Sequence, residues 1–152
     1  MISQTAEYAL RAIVFLSVNA GSAFTTQQIS VATKVPAAYL SKVMQSLVRA
    51  KLVQSRRGLG GGFILTKSAK KINILEVVNA VDPIQRIRIC PLGLKAHGSN
   101  LCALHKRLDD ATAIIEHSFA DTTVAELLVR PISSAPLCEF PTVKSRTALA
   151  RG

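Results

Sequence analysis

Apolar and polar positions follow a helical period through most of the chain. Ala6, Ala9, Ile13 and Leu16 recur three or four residues apart, the spacing that lines up side chains on one helix face. Ser3 stands ahead of them as a cap. The pattern therefore predicts a first helix running to about Val18 and ended by Asn19-Ala20-Gly21-Ser22. Thr25-x-x-Gln28 has the form of a capping box, and it predicts a short second helix through Thr33. Pro36 suits the first turn of a third helix, where its missing N–H would have no partner anyway. In that helix Leu40, Val43, Met44, Leu47 and Val48 make one buried stripe, and Ser41, Lys42, Gln45 and Arg49 occupy the other face.

After this helix the period changes. Leu52-Val53-Gln54-Ser55 and Phe63-Ile64-Leu65-Thr66 read as strands, and Arg56-Arg57-Gly58-Leu59-Gly60-Gly61-Gly62 must reverse the chain between them. A glycine loop that cradles a phosphate lies between a strand and a helix; here a second strand follows. Gly61, Gly62 and their neighbours supply positive-φ positions for a hairpin. Arg56 and Arg57 stand at its base, in reach of a phosphate or a minor groove. Two short helices with a tight turn, then a basic hairpin, predict a winged helix-turn-helix. The fold class is mainly α with a small β-hairpin wing.

Ile74–Val81 predicts a further helix, broken by Asp82-Pro83, and residues 84 to 100 read as a loop. A longer helix is predicted from about Leu101 to Phe119. Its Leu101, Leu104, Leu108, Ala111 and Ile115 form a seam like that of a coiled coil, which predicts pairing with a second subunit. Thr123-x-x-Glu126 opens a last short helix. The organisation expected is a DNA-binding domain over residues 1–82, a sensor loop over 83–100, a dimerisation helix and packing helix over 101–130, and a mobile tail over 131–152.

Composition sharpens this picture. Nineteen Lys and Arg against nine Asp and Glu give the 152-residue chain a net charge of +10, which points to a polyanionic partner, double-stranded DNA first. Apolar residues make up 49% and aromatics only 5%, so the core is aliphatic. The apolar run Ala12–Leu16 is short, follows Glu7 and keeps helical periodicity; it predicts no export signal, no membrane span and a cytoplasmic location. Three cysteines, an odd number, make no disulfide framework. They are free thiols, metal ligands or redox sensors. With no Ser/His/Asp set, paired carboxylates or P-loop in the sequence, the chain is not expected to be an enzyme.

The runs "YLSKVMQSLVRAKLVQSRRGLGGGFIL", "AEYALRAIVFL" and "INILEVVNAVD" resemble the Rrf-two (Rrf2) family of bacterial transcription regulators, which includes IscR, NsrR and CymR. The resemblance spans about residues 1 to 128. It implies a homodimer on palindromic DNA, with two winged domains in successive major grooves. It also implies base contacts from Ala38, Ser41 and Lys42, and a minor-groove arginine at Arg57. Phosphate contacts fall on Tyr39, Lys42, Gln45 and Arg56, and Thr26, Gln27 and Gly60 complete the expected DNA-binding set. The resemblance also implies a repressor.

Cluster-binding members of the family carry three cysteines spaced six apart, sometimes with a histidine three residues after the last. Here the positions hold Cys90, Ala96, Cys102 and His105, with His97 beside the gap. Some members add a carboxylate from the first helix of the other subunit. The matching residue is Glu7, which also stands four residues before Arg11 as an ordinary ion-pair partner. The resemblance thus implies a 2Fe–2S cluster on Cys90, Cys102, His105 and Glu7, with zinc or no cofactor as alternatives. Asp109, one turn beyond His105, is expected to hold the imidazole. A cofactor-free regulator governed by a partner protein or small effector is the competing reading. Cys138 receives no role, and His117 is expected on the helix surface.

Overall fold

The structure is a computed structural model and describes residues 2–93 and 100–129. Its elements are α1 (Gln4–Val18), α2 (Thr26–Thr33), α3 (Ala37–Arg49), β1 (Val53–Arg56), β2 (Gly62–Leu65), α4 (Ile74–Val81), α5 (Ala103–Asp121) and α6 (Val124–Leu128), with a single 3-10 turn at Ala69–Lys71. Ser3 Oγ accepts the Ala6 N–H at 3.2 Å and starts α1. The helix is central: it touches α2, α3, α4, α6 and β2, and Ala12 to Ser17 are buried on every side. Phe15 meets Phe24 edge to face, with ring centres 4.9 Å apart.

The expected capping box opens α2: Thr25 Oγ1 accepts from the Gln28 N–H at 3.2 Å, and Gln28 Oε1 accepts from the Thr25 N–H at 2.8 Å. Lys34 takes a left-handed conformation at φ 56° and turns the chain toward α3. The Arg11 guanidinium donates to the Thr33 carbonyl at 3.2 Å, satisfying one of the last carbonyls of α2. Pro36 caps α3 from outside rather than lying in its first turn. The difference is one residue and has a local cause, since the Pro36 carbonyl already receives the Leu40 N–H at 2.9 Å. Leu40, Val43, Met44 and Leu47 are buried as expected, and Val48 is half-buried.

The hairpin is antiparallel, with Val53 opposite Leu65 and Arg56 opposite Gly62. Each strand begins or ends one residue away from the sequence expectation. The glycines also share the work differently. Gly58, Gly60 and Gly62 take positive φ, and Gly61 does not. Gly61 is needed for space instead: a Cβ there would lie 2.4 Å from the Arg56 carbonyl oxygen. A turn closes when the Gly61 N–H donates to the Gly58 carbonyl at 2.9 Å. The wing is tied to the segment before α2 by two backbone bonds between Phe24 and Phe63, 3.1 and 2.7 Å.

Capping boxes also open α4, from Asn73 and Glu76, and α6, from Thr123 and Glu126. α6 folds back onto the first half of the chain. The Val124 N–H donates to the Ile72 carbonyl at 2.8 Å and the Ile74 N–H to the Thr122 carbonyl at 3.0 Å, so Val124 is buried in the same core as α1 and α3. α5 differs from every other helix. Asp109 is its one buried residue, and Leu104, Leu108, Ile114 and Ile115 are exposed. No helix among the described residues is long and apolar enough to cross a membrane. The expected tail over residues 131–152, with Cys138, and the positions Ala96 and His97 lie outside the described residues.

Candidate nucleic-acid interface and cysteine–histidine site

Residues 8–75 carry ten Lys and Arg and no Asp or Glu, and the nine basic residues elsewhere are matched by nine acidic ones. The whole +10 of the chain therefore resides in the stretch that forms α2, α3 and the wing. On α3, Ala38, Tyr39, Ser41, Lys42, Gln45 and Arg49 are all exposed, because the buried stripe of Leu40, Val43, Met44 and Leu47 turns them outward. Ser41 Oγ donates to the Ala37 carbonyl at 3.0 Å, which leaves its lone pairs free to accept. Tyr39 packs edge to face on Tyr8 at 6.3 Å, and Arg11 lies over the Tyr8 ring at 5.7 Å. At the start of α2, Gln27 is exposed and Thr26 half-buried. Arg56, Arg57 and Gly60 are exposed on the wing. The expected residues lie on two helices and a hairpin, and α3 meets the hairpin at a groove lined by Gln45, Val48, Arg49, Ser55 and Phe63. Arg49 and Leu59 are exposed on the same elements. The acid-free stretch was the signal that brings in Arg49.

A second site forms where the segment after α4 meets α5. Cys102 Sγ lies 3.2 Å from His105 Nδ1, and Cys90 Sγ lies 3.8 Å from the same nitrogen. Two thiols separated by eleven residues are therefore gathered on one imidazole. Cys90 is buried, rather than carried on an open loop. Cys102 is the N-cap of α5 and not part of its first turn, and its side chain makes no cap hydrogen bond; the sulfur faces His105 instead.

Asp109 does not support His105. Arg86 Nε and Nη2 donate to its two carboxylate oxygens at 2.7 Å each, and the Ile87 N–H adds a bond of 2.9 Å. Arg86 also reaches Glu116 at 3.0 Å. The guanidinium beside Asp109 holds its carboxyl down at about 2, against an ordinary value of 3.8, and the Arg86 pKa is raised in turn. Sequence spacing could not reveal this pairing, because Arg86 lies 23 residues away. Glu7 is engaged with Arg11 at 2.6 Å, the ordinary ion pair. Lys106 pairs with Asp110 at 2.9 Å.

Two thiols and an imidazole suit iron or zinc in kind. In number they fall one short of the four donors that either a 2Fe–2S cluster or structural zinc takes. Among the described residues no group of three or more His, Cys, Asp and Glu side chains is set to hold a metal ion.

The chain matches the profile of the Rrf2 family, described as "Iron-dependent Transcriptional regulator", over residues 2–130. A protein of Aquifex aeolicus, provisionally named an HTH-type transcriptional regulator, is 28% identical over 131 residues, covering 84% of this chain and 91% of the relative. A protein of Mycobacterium tuberculosis with the same kind of name is 30% identical over 128 residues, 83% and 80% of the two chains. Among solved structures, IscR of T. potens superposes with a TM-score of 0.69 at 19% identity, covering 84% of this chain and 85% of that one. CymR, the global cysteine regulator of B. subtilis, superposes with a TM-score of 0.69 at 20% identity, covering 84% and 95%. These structures share the winged-helix fold, and the relatives are regulators rather than enzymes. The chain belongs to the Rrf2 family of helix-turn-helix transcription regulators.

Proposed function

We propose that the protein is a cytoplasmic repressor that binds palindromic DNA as a homodimer, and that its affinity for DNA responds to the chemistry of Cys90, Cys102 and His105. The observation that carries the DNA reading is the acid-free stretch: residues 8–75 hold ten Lys and Arg and no Asp or Glu, so the net +10 of the chain lies there. Lys42, Arg49, Arg56 and Arg57 supply phosphate contacts, which set affinity and register. Ala38, Ser41 and Lys42 meet base edges, Gln45 adds a phosphate contact, and Arg57 enters the minor groove. Thr26, Gln27, Tyr39 and Gly60 border the backbone. Residues 1–82 with α6 form the DNA-binding unit, residues 83–100 the sensor, and α5 the dimerisation helix.

The homodimer reading rests on α5. Leu104, Leu108, Ile114 and Ile115 are exposed on it. Ile2, Ala6, Val78, Ile84 and Phe119 line, with Ile115, an apolar groove of about 620 Å³ beside it. Exposed apolar area of this kind marks an interaction surface, and a second copy covers both features under a two-fold axis.

For the sensor, the leading reading is thiol redox chemistry at Cys90 and Cys102, supported by their shared contact with His105. The cluster reading needs a fourth donor, and Glu7 of a second copy would have to leave Arg11 to become one. Duplexes selected from a random pool by the purified protein, followed by gel-shift titration with reduced and peroxide-treated protein, test the whole proposal. Selection of a palindrome, with weaker binding after oxidation that is absent in Cys102→Ala, is the expected result. Anaerobic reconstitution with iron and sulfide separates the readings: about two irons per subunit bound to the unmodified chain and lost in Cys102→Ala would replace the thiol reading with a cluster. A DNA response that ignores both treatments would leave the cofactor-free regulator.

A further inference from the structure

Leu59 is the most exposed large apolar side chain among the described residues, at 109% of its reference exposure. It sits at the tip of the wing inside the turn from Gly58 to Gly61, which the Gly61 N–H closes on the Gly58 carbonyl. Its neighbours Gly58 and Gly60 both take positive φ, and a Cβ on either would meet nothing within 4 Å. Leu59 is therefore the single side chain on a narrow tip, with Arg56 and Arg57 behind it. The base is held firmly. Gly62 approaches the Phe24 carbonyl so closely that a Cβ would lie 2.4 Å from it, and Phe24 and Phe63 exchange two backbone bonds. A rigid base with a slim apolar tip ahead of two arginines is built to insert rather than to lie flat.

We infer that Leu59 enters the minor groove of the DNA flanking the recognition helix and makes the protein favour A·T pairs there. This rests on the DNA-binding reading above. The minor groove is about 6 Å wide, so it admits one side chain but not the ribbon. The arginines supply the attraction to its negative potential, strongest where A·T runs narrow the groove. Leu59 supplies discrimination. A·T pairs offer acceptors at the floor of this groove, and a G·C pair adds the guanine 2-amino donor. A leucine pressed against that donor strips its water and returns no hydrogen bond, which costs binding free energy. Against A·T the same side chain buries apolar surface on sugars and base edges and meets only acceptors, which G·C pairs also present, so the guanine 2-amino donor is the added cost.

The test uses the full chain and a duplex selected from a random pool, with the base pairs under the wing located by footprinting. Those pairs are then made A·T, G·C or inosine·C. Inosine keeps the major-groove face of guanine but lacks the 2-amino group. The expected order is A·T close to inosine·C, with G·C weaker by roughly fivefold, the scale of one partly buried leucine. In Leu59→Ser, which is exposed and leaves the fold intact, the ratio should fall toward one, while the salt slope stays unchanged because no charge is removed. Arg57→Ala should weaken all three duplexes, the narrow-groove ones most, and leave the part of the preference that Leu59 supplies. Inosine·C behaving like G·C would mean major-groove readout and would overturn the inference, as would a Leu59→Ser protein that keeps the full preference. An unmodified protein that selects no duplex at all would take down the DNA-binding reading itself.

Discussion

Arg86 and Asp109 meet through two parallel hydrogen bonds of 2.7 Å, the geometry in which an ion pair is most specific. Asp109 titrates at about 2 in the folded chain and at 3.8 ordinarily. A carboxyl whose folded pKa is depressed adds stability above the ordinary value and loses it as pH falls toward the folded one. Thermal unfolding followed from pH 5 down to pH 2, a window set about these two values, should therefore show a falling melting temperature. Asp109→Asn should lie lower at pH 5 and fall less steeply. An identical pH profile for the two proteins would contradict the assignment. At the DNA face, Arg57→Ala should weaken binding to the selected duplex by about 1–3 kcal/mol. Lys42→Ala should weaken specific and non-specific binding alike and flatten the salt slope by about one unit. Gel shifts at several salt concentrations read both, and an Arg57→Ala protein of unchanged affinity would remove the wing from recognition.

Among elements, the helices that announce themselves locally were legible. The Thr25–Gln28 and Thr123–Glu126 boxes close over three residues, so the hydrogen bonds that fix the helix start lie within the motif that names it. Cys90, Cys102 and His105 were legible for a different reason, their match to a family spacing. Their meeting point depends on Arg86, whose partners lie 23 and 30 residues away, and no local pattern encodes that distance. Asp109 departs from its expected place for the same reason: helical spacing puts it one turn from His105, but a buried carboxylate goes to the strongest donor available, and that is the Arg86 guanidinium. The glycines of the wing show the limit within a motif. Their number says that a turn forms; which one takes positive φ and which one merely needs room depends on the Arg56 carbonyl and the Phe24 backbone. α5 was legible as a helix, and its exposed leucines lead to an element-level prediction. Leu108→Asp puts a charge into the proposed seam, where burial without a partner is costly, and it should turn a dimer into monomers by light scattering. A monomeric unmodified protein at micromolar concentration would refute the seam.

At the scale of the whole molecule, one connection bears on everything the wings do. α6 is bonded and packed into the core of the first half of the chain, and the segment after α4 is fastened to α5 by Arg86. α5 is thus a beam fixed along its middle by Arg86 and at its C-terminal end by α6 to the body that carries α3. Its 19 residues span about 28 Å at the rise of an α-helix. A beam clamped twice does not hinge. Tilting it by one degree carries the far end through about half an ångström, and the reading head must follow. Ten degrees would shift the wing by about the width of a minor groove. In the proposed dimer, rigidity of this kind would make the protein a gauge of the distance between two half-sites, and anything that bends the gauge would change which stretch of DNA fits it.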